Sequence, residues 1–216
     1  MTRTLVIFVK APVAGRVKTR LAKDLGAGRA AAIYRRLTAN TIAQAEIGNW
    51  RTILAVDPVG ALRGYENLWP ARIARIAQGR GDLGARMRRV LDKSPKGPVI
   101  IIGSDAPGLC ARHIRAAFKA LEGADAVFGP ATDGGYWLIG FARRRGRAPA
   151  FDGVRWSSDN ALKDTLASLP AGSRVTLLEA LADIDDAADL ATAGPAALMR
   201  SMARSGDGGT TFRDLA

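Results

Sequence analysis

Two groups of charged residues in this chain have types and spacing that could do chemistry. The first is a single carboxylate, Asp105, at the end of P-V-I-I-I-G-S-D-A-P-G-L, Pro98 to Leu109. A carboxylate carried out of a buried apolar run can cap the next helix, here starting near Ala111, or give oxygen to a divalent cation. The second is the loop K-A-P-V-A-G-R-V-K-T-R-L, in which Lys10, Arg16, Lys18 and Arg20 surround Pro12 and Gly15. Cations so close repel one another unless water solvates them or an anion lies among them. Phosphate suits them, because Arg offers forked donors and Lys a mobile point charge. Val17 stands where a Walker A loop has glycine, so a P-loop is excluded. A cationic loop facing a carboxylate suits a phosphate ester bridged to aspartate by a metal ion.

Three further stretches carry candidates. Q-G-R-G-D-L-G, Gln78 to Gly84, is a glycine-rich turn before a helix, so its amides could meet an anion, or Asp82 could be the helix N-cap. G-P-A-T-D-G-G-Y-W-L-I-G-F, Gly129 to Phe141, turns at Asp133, Gly134 and Gly135. It reads either as a plain hairpin or as an acceptor pocket walled by Pro130, Tyr136 and Trp137. L-A-D-I-D-D-A-A-D-L, Leu181 to Leu190, places Asp183, Asp185 and Asp186 before a short helix, more carboxylates than one cap needs.

The elements that must position these residues follow from periodicity. Continuous apolar runs at Thr4 to Val9, Arg51 to Val56 and Val99 to Ile102 read as parallel strands buried on both faces. A shorter strand is expected over Arg72 to Ala77, and others over Ala124 to Phe128, Tyr136 to Phe141 and Arg174 to Leu178. Helical spacing covers Gly28 to Ala45, Leu83 to Leu91 and Ala111 to Leu121. A further helix, capped by Ser157 or Ser158, is expected after Trp156. The first strand, helix and second strand make a right-handed parallel unit. The expected architecture is a three-layer α/β/α domain with a mostly parallel central sheet and its ligands at the carboxyl ends of the strands. One domain is expected over residues 1–204, with a loose tail over 205–216.

Composition narrows the classes. The chain has 216 residues and a net charge of +12, from 32 Lys and Arg against 20 Asp and Glu, which favours anionic partners. The Arg residues are scattered rather than run together, and Arg143, Arg144, Arg145 and Arg147 read as a solvated linker. Cys110 is the single cysteine, so internal disulfides and a thiolate metal cage are excluded. His113, the single histidine, reads as a helix-surface residue, and multi-histidine metal sites are excluded with it. No apolar run reaches membrane length, and a strand starts within four residues of Met1. A cytoplasmic setting is expected.

The ordered blocks F-V-K-A-P-V-A-G-R-V-K-T-R-L, G-D-L-G-A-R-M, I-G-S-D-A-P-G-L, G-P-A-T-D-G-G-Y-W-L-I-G and D-I-D-D-A-A-D-L, within Val6 to Leu190, resemble a bacterial family. It is the family of GT-A-fold transferases known as radical-SAM/selenodomain-associated, or arsenosugar-type, glycosyltransferases. More distantly the chain resembles 2-phospho-L-lactate guanylyltransferase and molybdenum-cofactor guanylyltransferase, also of the nucleotide-diphospho-sugar transferase superfamily. The resemblance implies that Lys10, Lys18 and Arg20 surround nucleotide phosphates, and from the loop and the glycine-rich turn Arg16, Gln78 and Asp82 are expected beside them. It implies Mg²⁺ or Mn²⁺ at Asp105. One carboxylate stands here where many glycosyltransferases have Asp-x-Asp, so a second ligand is needed, Asp185 first and Asp183 after it. Gly134, Gly135, Tyr136 and Trp156 fall on the acceptor side, with Asp133 to orient or deprotonate the acceptor.

The leading expectation is metal-dependent glycosyl transfer from a nucleotide-diphospho-sugar to a small acceptor, with Lys18 and Arg20 neutralising the leaving phosphate. The alternative within enzymes is nucleotidyl transfer from an NTP to a phosphorylated acceptor. The missing Gly-x-Gly before Thr19-Arg20 weighs against triphosphate binding. A nucleic-acid-binding module would need a continuous cationic stripe with exposed aromatics, and no such motif is present. A catalytically idle nucleotide sensor would not need Lys18, Arg20 and Asp105 intact.

Overall fold

The computed structural model describes residues 2–144 and 151–192. Arg145, Arg147 and the expected tail lie outside them.

Strand β1 (Thr4–Lys10) is flanked by β2 (Arg51–Asp57) and β4 (Val99–Ile102), both parallel to it. Their unbroken branched-apolar runs fit this central place, because helices cover both faces and neither face can be polar. β3 (Ala74–Ala77), β5 (Ala126–Pro130), β6 (Tyr136–Phe141) and β7 (Val175–Leu177) complete a seven-stranded sheet of order β3-β2-β1-β4-β6-β5-β7. β6 is antiparallel to β4 and to β5, and the other pairings are parallel. The expected hairpin at Asp133 to Gly135 is therefore present.

The helices are α1 (Thr19–Leu25), α2 (Ala27–Ala45), α3 (Leu83–Lys93), α4 (Ala111–Ala120) and α5 (Ala161–Ala167), with a short 3-10 turn at Val59–Leu62. Alternation along the strands divides the core. Leu5, Ile7, Ile100 and Ile102 meet Ile42 of α2 and Ile114 and Phe118 of α4. Val6, Ile53, Ile101 and Ile139 meet Met87, Val90 and Leu91 of α3 and Leu162 and Leu166 of α5 on the other face. This is the expected three-layer α/β/α arrangement.

Several local expectations are corrected. The cationic loop is shorter than its sequence suggests, because α1 begins at Thr19 and its Leu21 packs with Ile33 and Leu37 of α2. The strand expected from Arg72 begins at Ala74, and the one expected from Ala124 begins at Ala126. The helix after Trp156 starts at Ala161, beyond Ser157 and Ser158, and Ser158 Oγ instead accepts from the Asn160 N–H in the turn before it. His113 is buried, not on the surface. Its Nδ1 accepts from the Cys110 N–H, and Nε2 lies 3.3 Å from Glu179 Oε2. Of the expected solvated linker, Arg144 is exposed and Arg143 half-buried, and both also donate to backbone carbonyls, Arg143 to Ser94 and Pro95 and Arg144 to Leu121 and Glu122.

Candidate functional site

The order of the sheet reverses at β1, with β2 and β3 following on one side and β4 on the other. Open α/β sheets have their crevice at such a point, beyond the carboxyl ends of the strands. The loop after β1 and the loop after β4 meet there. Val17, buried with Ala31 and Tyr34 of α2, anchors the first loop. The next residue, Lys18, adopts the left-handed conformation at φ 46 and ψ 50, which a non-glycine residue holds only against a cost of about 1 kcal/mol or more.

That backbone turn aims Lys18 inward. Its Nζ donates to Asp105 Oδ2 at 2.9 Å and to Asp185 Oδ1 at 2.8 Å. The Lys18 side chain is 5% exposed, whereas Asp105 and Asp185 remain 39% and 38% exposed, so the carboxylates face a cleft that the ammonium underlies. Burial alone would lower the Lys18 pKa, but the two carboxylates outweigh it and hold it above the ordinary lysine value.

Asp183 completes the acidic group. Ligand oxygens of Asp105, Asp183 and Asp185 all lie within 4.8 Å of one another. The segment that brings them is fixed by apolar contact. Leu181 bridges beside Ala131, its N–H donating to the Pro130 carbonyl, and the fully buried Ile184 packs against Leu21 and Leu37. With Ile184 turned into the core, Asp183 and Asp185 share the opposite side of an extended segment. Burial, then the charges of Asp105, Asp133 and Asp185, push the Asp183 carboxyl up to about 6. Three carboxylates are a hard oxygen donor set that suits Mg²⁺, Mn²⁺ or Ca²⁺ rather than a soft metal. Asp186 does other work. Its Oδ1 accepts from the Ala188 and Asp189 N–H groups, as the cap of the helical turn over 187–192.

The cleft has a volume of about 750 Å³ and is lined by Lys10, Arg16, Lys18 and Arg20 from the first loop, Arg86 of α3, Asp105, Asp185 and Trp156. A smaller cavity of about 520 Å³ shares Lys10 and Arg16 with it and adds Arg63 and Tyr65. Arg20 is 3.5 Å from Asp185 Oδ2, and Arg86 is paired with Asp57 at 3.1 Å. No acidic partner of Lys10 or Arg16 is found among the described residues.

Of the residues singled out in the sequence, Lys10, Arg16, Lys18, Arg20, Asp105, Asp185 and Trp156 therefore meet in one cleft. Gln78 lines it too, but its Nε2 donates to the Val9 and Ala55 carbonyls and its Oε1 accepts from Arg86, so it braces the strand ends. Asp82 is the N-cap of α3, accepting from the Ala85 N–H at 2.8 Å. Asp105 is no helix cap, since α4 begins after Cys110.

The acceptor side is partly dispersed. Tyr136 packs inward on Phe128, its hydroxyl near Met87 and Thr165, and does not line the cleft. Asp133 accepts from the Gly135 N–H at 2.8 Å as a turn residue, within reach of Asp183 electrostatically. Gly134, at φ +84, is required by packing, because a Cβ there would lie 2.1 Å from the Asp159 carbonyl oxygen. Gly84 at the start of α3 leaves room for Trp156, which a Cβ would meet at 2.7 Å.

Two wall residues escaped the sequence reading. Tyr34, buried in α2, accepts the Lys10 N–H at 2.7 Å and a 3.3 Å bond from Ser104 Oγ, tying the two loops together. Burial raises its phenol pKa. In sequence it is one apolar position of an amphipathic helix. Arg86 likewise reads as a polar-face residue of α3, and only the fold shows that this face meets the cleft.

Residues 38–158 match the family model described as "Uncharacterized protein conserved in bacteria (DUF2064)". No curated protein matches the chain. Among solved structures, a protein of Desulfovibrio desulfuricans G20 assigned as a nucleotide-diphospho-sugar transferase is similar at 28% identity and TM-score 0.87, covering 95% of this chain and 92% of that one. The fold is also that of Rv0371c from Mycobacterium tuberculosis H37Rv in complex with manganese, at 16% identity, TM-score 0.54 and coverage of 89% and 97%. It is shared by 4-diphosphocytidyl-2C-methyl-D-erythritol synthase from Anaerococcus prevotii, at 11% identity, TM-score 0.57 and coverage of 89% and 94%. The expected nucleotide-diphospho-sugar transferase fold is thereby shown. No helix among the described residues is long and apolar enough to cross a membrane.

Proposed function

The chain belongs to the bacterial DUF2064 family, and from that starting point we propose that it is a metal-dependent transferase acting on a nucleotide-diphospho-sugar. The observation that carries the reading is the Lys18 ammonium held between Asp105 and Asp185, under a cleft whose other wall is cationic. Carboxylates for a cation and cations for phosphate, within one cleft at the reversal of the sheet, are the two halves of a metal-diphosphate site. The 28% identical transferase supports the same class, and the arsenosugar-type relatives resembled in sequence supply its finer form, glycosyl transfer to a small acceptor.

In this reading Asp105 and Asp185, with Asp183, hold Mg²⁺ or Mn²⁺, which when bound offsets charge on the diphosphate. Lys10, Arg16, Lys18 and Arg20 bind phosphate oxygens and stabilise the leaving nucleoside diphosphate. The bond between the anomeric carbon and the phosphate oxygen breaks as the acceptor oxygen bonds to that carbon. The acceptor's proton passes to a base, for which Asp133 is the candidate, and Trp156 walls the sugar. The second reading, nucleotidyl transfer from an NTP, is favoured by a solved structure that shares the fold at TM-score 0.56 and 10% identity, a CMP:2-keto-3-deoxy-manno-octonic acid synthetase complexed with CTP.

A thermal-shift screen of nucleotide sugars and NTPs, each with Mg²⁺, Mn²⁺ or EDTA, tests both. A metal-dependent shift with a nucleotide sugar, lost in Asp105→Ala, supports sugar transfer, and release of a nucleoside diphosphate with an acceptor completes it. Shifts with NTPs alone and release of pyrophosphate replace it by nucleotidyl transfer. No shift with any nucleotide overturns both readings.

A further inference from the structure

We propose that Lys18 is an exchangeable counter-ion, which neutralises the acidic cluster before the cation arrives and turns to phosphate when it does, so that metal and phosphate bind cooperatively. The inference rests on the reading of the cleft as a metal-diphosphate site and deepens it.

The geometry sets a competition. Nζ donates to one oxygen of Asp105 and one of Asp185, two of the three carboxylates that fit a cation. An ammonium in that bridging position and a dication drawn to the same carboxylates repel each other at short range. Lys18 therefore has to give up at least one carboxylate when a cation binds. Alone, it would go from a doubly paired buried site to one partner at most, which makes metal binding by itself costly.

Phosphate removes that cost. The cleft above Lys18 is lined by Lys10, Arg16 and Arg20, so an anionic group drawn to them gives the released ammonium a new partner. Lysine suits the exchange better than arginine, because its charge is a point on a flexible four-carbon stem and its donors are not tied to one plane. Each ligand thus favours the arrangement of Lys18 that the other needs, and the coupling is equal in both directions.

The test is Mn²⁺ binding to the full chain, followed by the electron paramagnetic resonance of free Mn²⁺ and by calorimetry, with no nucleotide present. Lys18→Met is expected to bind Mn²⁺ about tenfold more tightly than the wild type, a coupling of ordinary size. Lys23→Met, which removes the same charge from an exposed position of α1, is expected to leave the affinity unchanged and so excludes a general charge effect. Adding inorganic pyrophosphate, with its own chelation of Mn²⁺ subtracted, should tighten Mn²⁺ binding to the wild type and not to Lys18→Met. Lys18→Gln, with a polar end in place of the methyl, is the second variant should Lys18→Met fold poorly, and the same tightening is expected of it. If wild type and both Lys18 variants bind Mn²⁺ equally, or the variants bind more weakly, the exchange is overturned while the metal site stands. If none binds Mn²⁺, the metal site itself falls with it.

Discussion

Lys18 and Asp185 lie 167 positions apart in the chain and are joined at 2.8 Å, Nζ to Oδ1. One end of that bond stands on the loop after the first strand, anchored by Val17, and the other on the segment anchored by Ile184. Asp105, from the loop after β4, closes the group at 2.9 Å. Three stretches without a common sequence pattern thus meet at the point where the sheet reverses. The charge is unbalanced, since Lys18 pairs with two of the three carboxylates and Arg20 reaches only Asp185, one of the same two.

Among the described residues Asp183 has no cationic partner, and its removal should stabilise the metal-free protein. Its carboxyl is pushed up to about 6 from an ordinary 3.8, so folding disfavours its charged form. The folded state then holds the extra proton, and stability rises as pH falls from above 6 towards 4. The penalty is therefore complete at pH 7.5. A shift of that size corresponds to about 3 kcal/mol, and solvent screening at this partly exposed site reduces it to about 1 kcal/mol. Asp183→Asn should accordingly melt about 2–4 °C higher than the wild type at pH 7.5 without metal, with the gain gone near pH 4.5. Mn²⁺ should stabilise the variant less than the wild type. A lower melting temperature at pH 7.5 would show that Asp183 is already compensated.

His113 should make acid destabilising. Burial, and then the neighbouring Arg112, hold its pKa below 6.5, although Glu179 opposes them. The unfolded chain takes up a proton at this residue near pH 6.5 and the folded chain does not, so stability contributed by the neutral ring is present above that pH and is lost as pH falls through it. His113→Asn keeps an acceptor for the Cys110 N–H and does not titrate. The stability of the wild type relative to this variant, from urea melts, should shrink between pH 7.5 and 5.5. As the sequence has one histidine, its ring resonances give the folded-state pKa directly.

The elements that carry the site were legible in sequence because their signals are strong and local. Val99 to Ile102 could only be a strand covered on both faces, and Asp105 follows it at once. The cations of the first loop were legible by density alone. Three things were not, and each depends on how the folded chain packs. The inward turn of Lys18 depends on Val17 and α1, which begins inside what reads as a loop. The brace role of Gln78 depends on the Val9 and Ala55 carbonyls, which only the sheet brings to it. Tyr136 and Trp137 looked like one aromatic wall, but neighbours in a strand face opposite ways. Tyr136 therefore packs on Phe128 and Trp137 on His113.

The Asp133-Gly134-Gly135 turn gives a direct choice between packing and acceptor binding. Gly134 holds φ +84, and a Cβ would meet the backbone of Asp159, which cannot move without the turn before α5. Its carbonyl also accepts the Leu162 N–H at 3.0 Å. Gly134→Ala should therefore cost about 2 kcal/mol or more in urea denaturation, from backbone strain and the contact together. Unchanged stability with lost turnover would return the glycine to the acceptor site.

Ile184 links packing to the acidic group most directly. It is fully buried against Leu21, Leu37 and Leu190, between the two carboxylates it sets apart from the core. Ile184→Ala removes buried methyl and methylene groups and leaves a cavity, at a cost of about 3 kcal/mol. For a chain of this length that lowers the melting temperature by roughly 6–12 °C. The same change frees the segment that carries Asp183 and Asp185 to move relative to Asp105. Ile184→Val keeps most of the anchor, with an expected cost of about 1 kcal/mol. Mn²⁺ affinity, measured well below each melting transition, separates anchoring from mere folding. It should fall by about tenfold in Ile184→Ala and hardly at all in Ile184→Val, as expected when a ligand's loss of fixed geometry costs about 1.4 kcal/mol. Equal affinities in the two variants would mean that the hydrogen bond from the Ile184 N–H to the Asp105 carbonyl, rather than the buried side chain, holds the acidic group together.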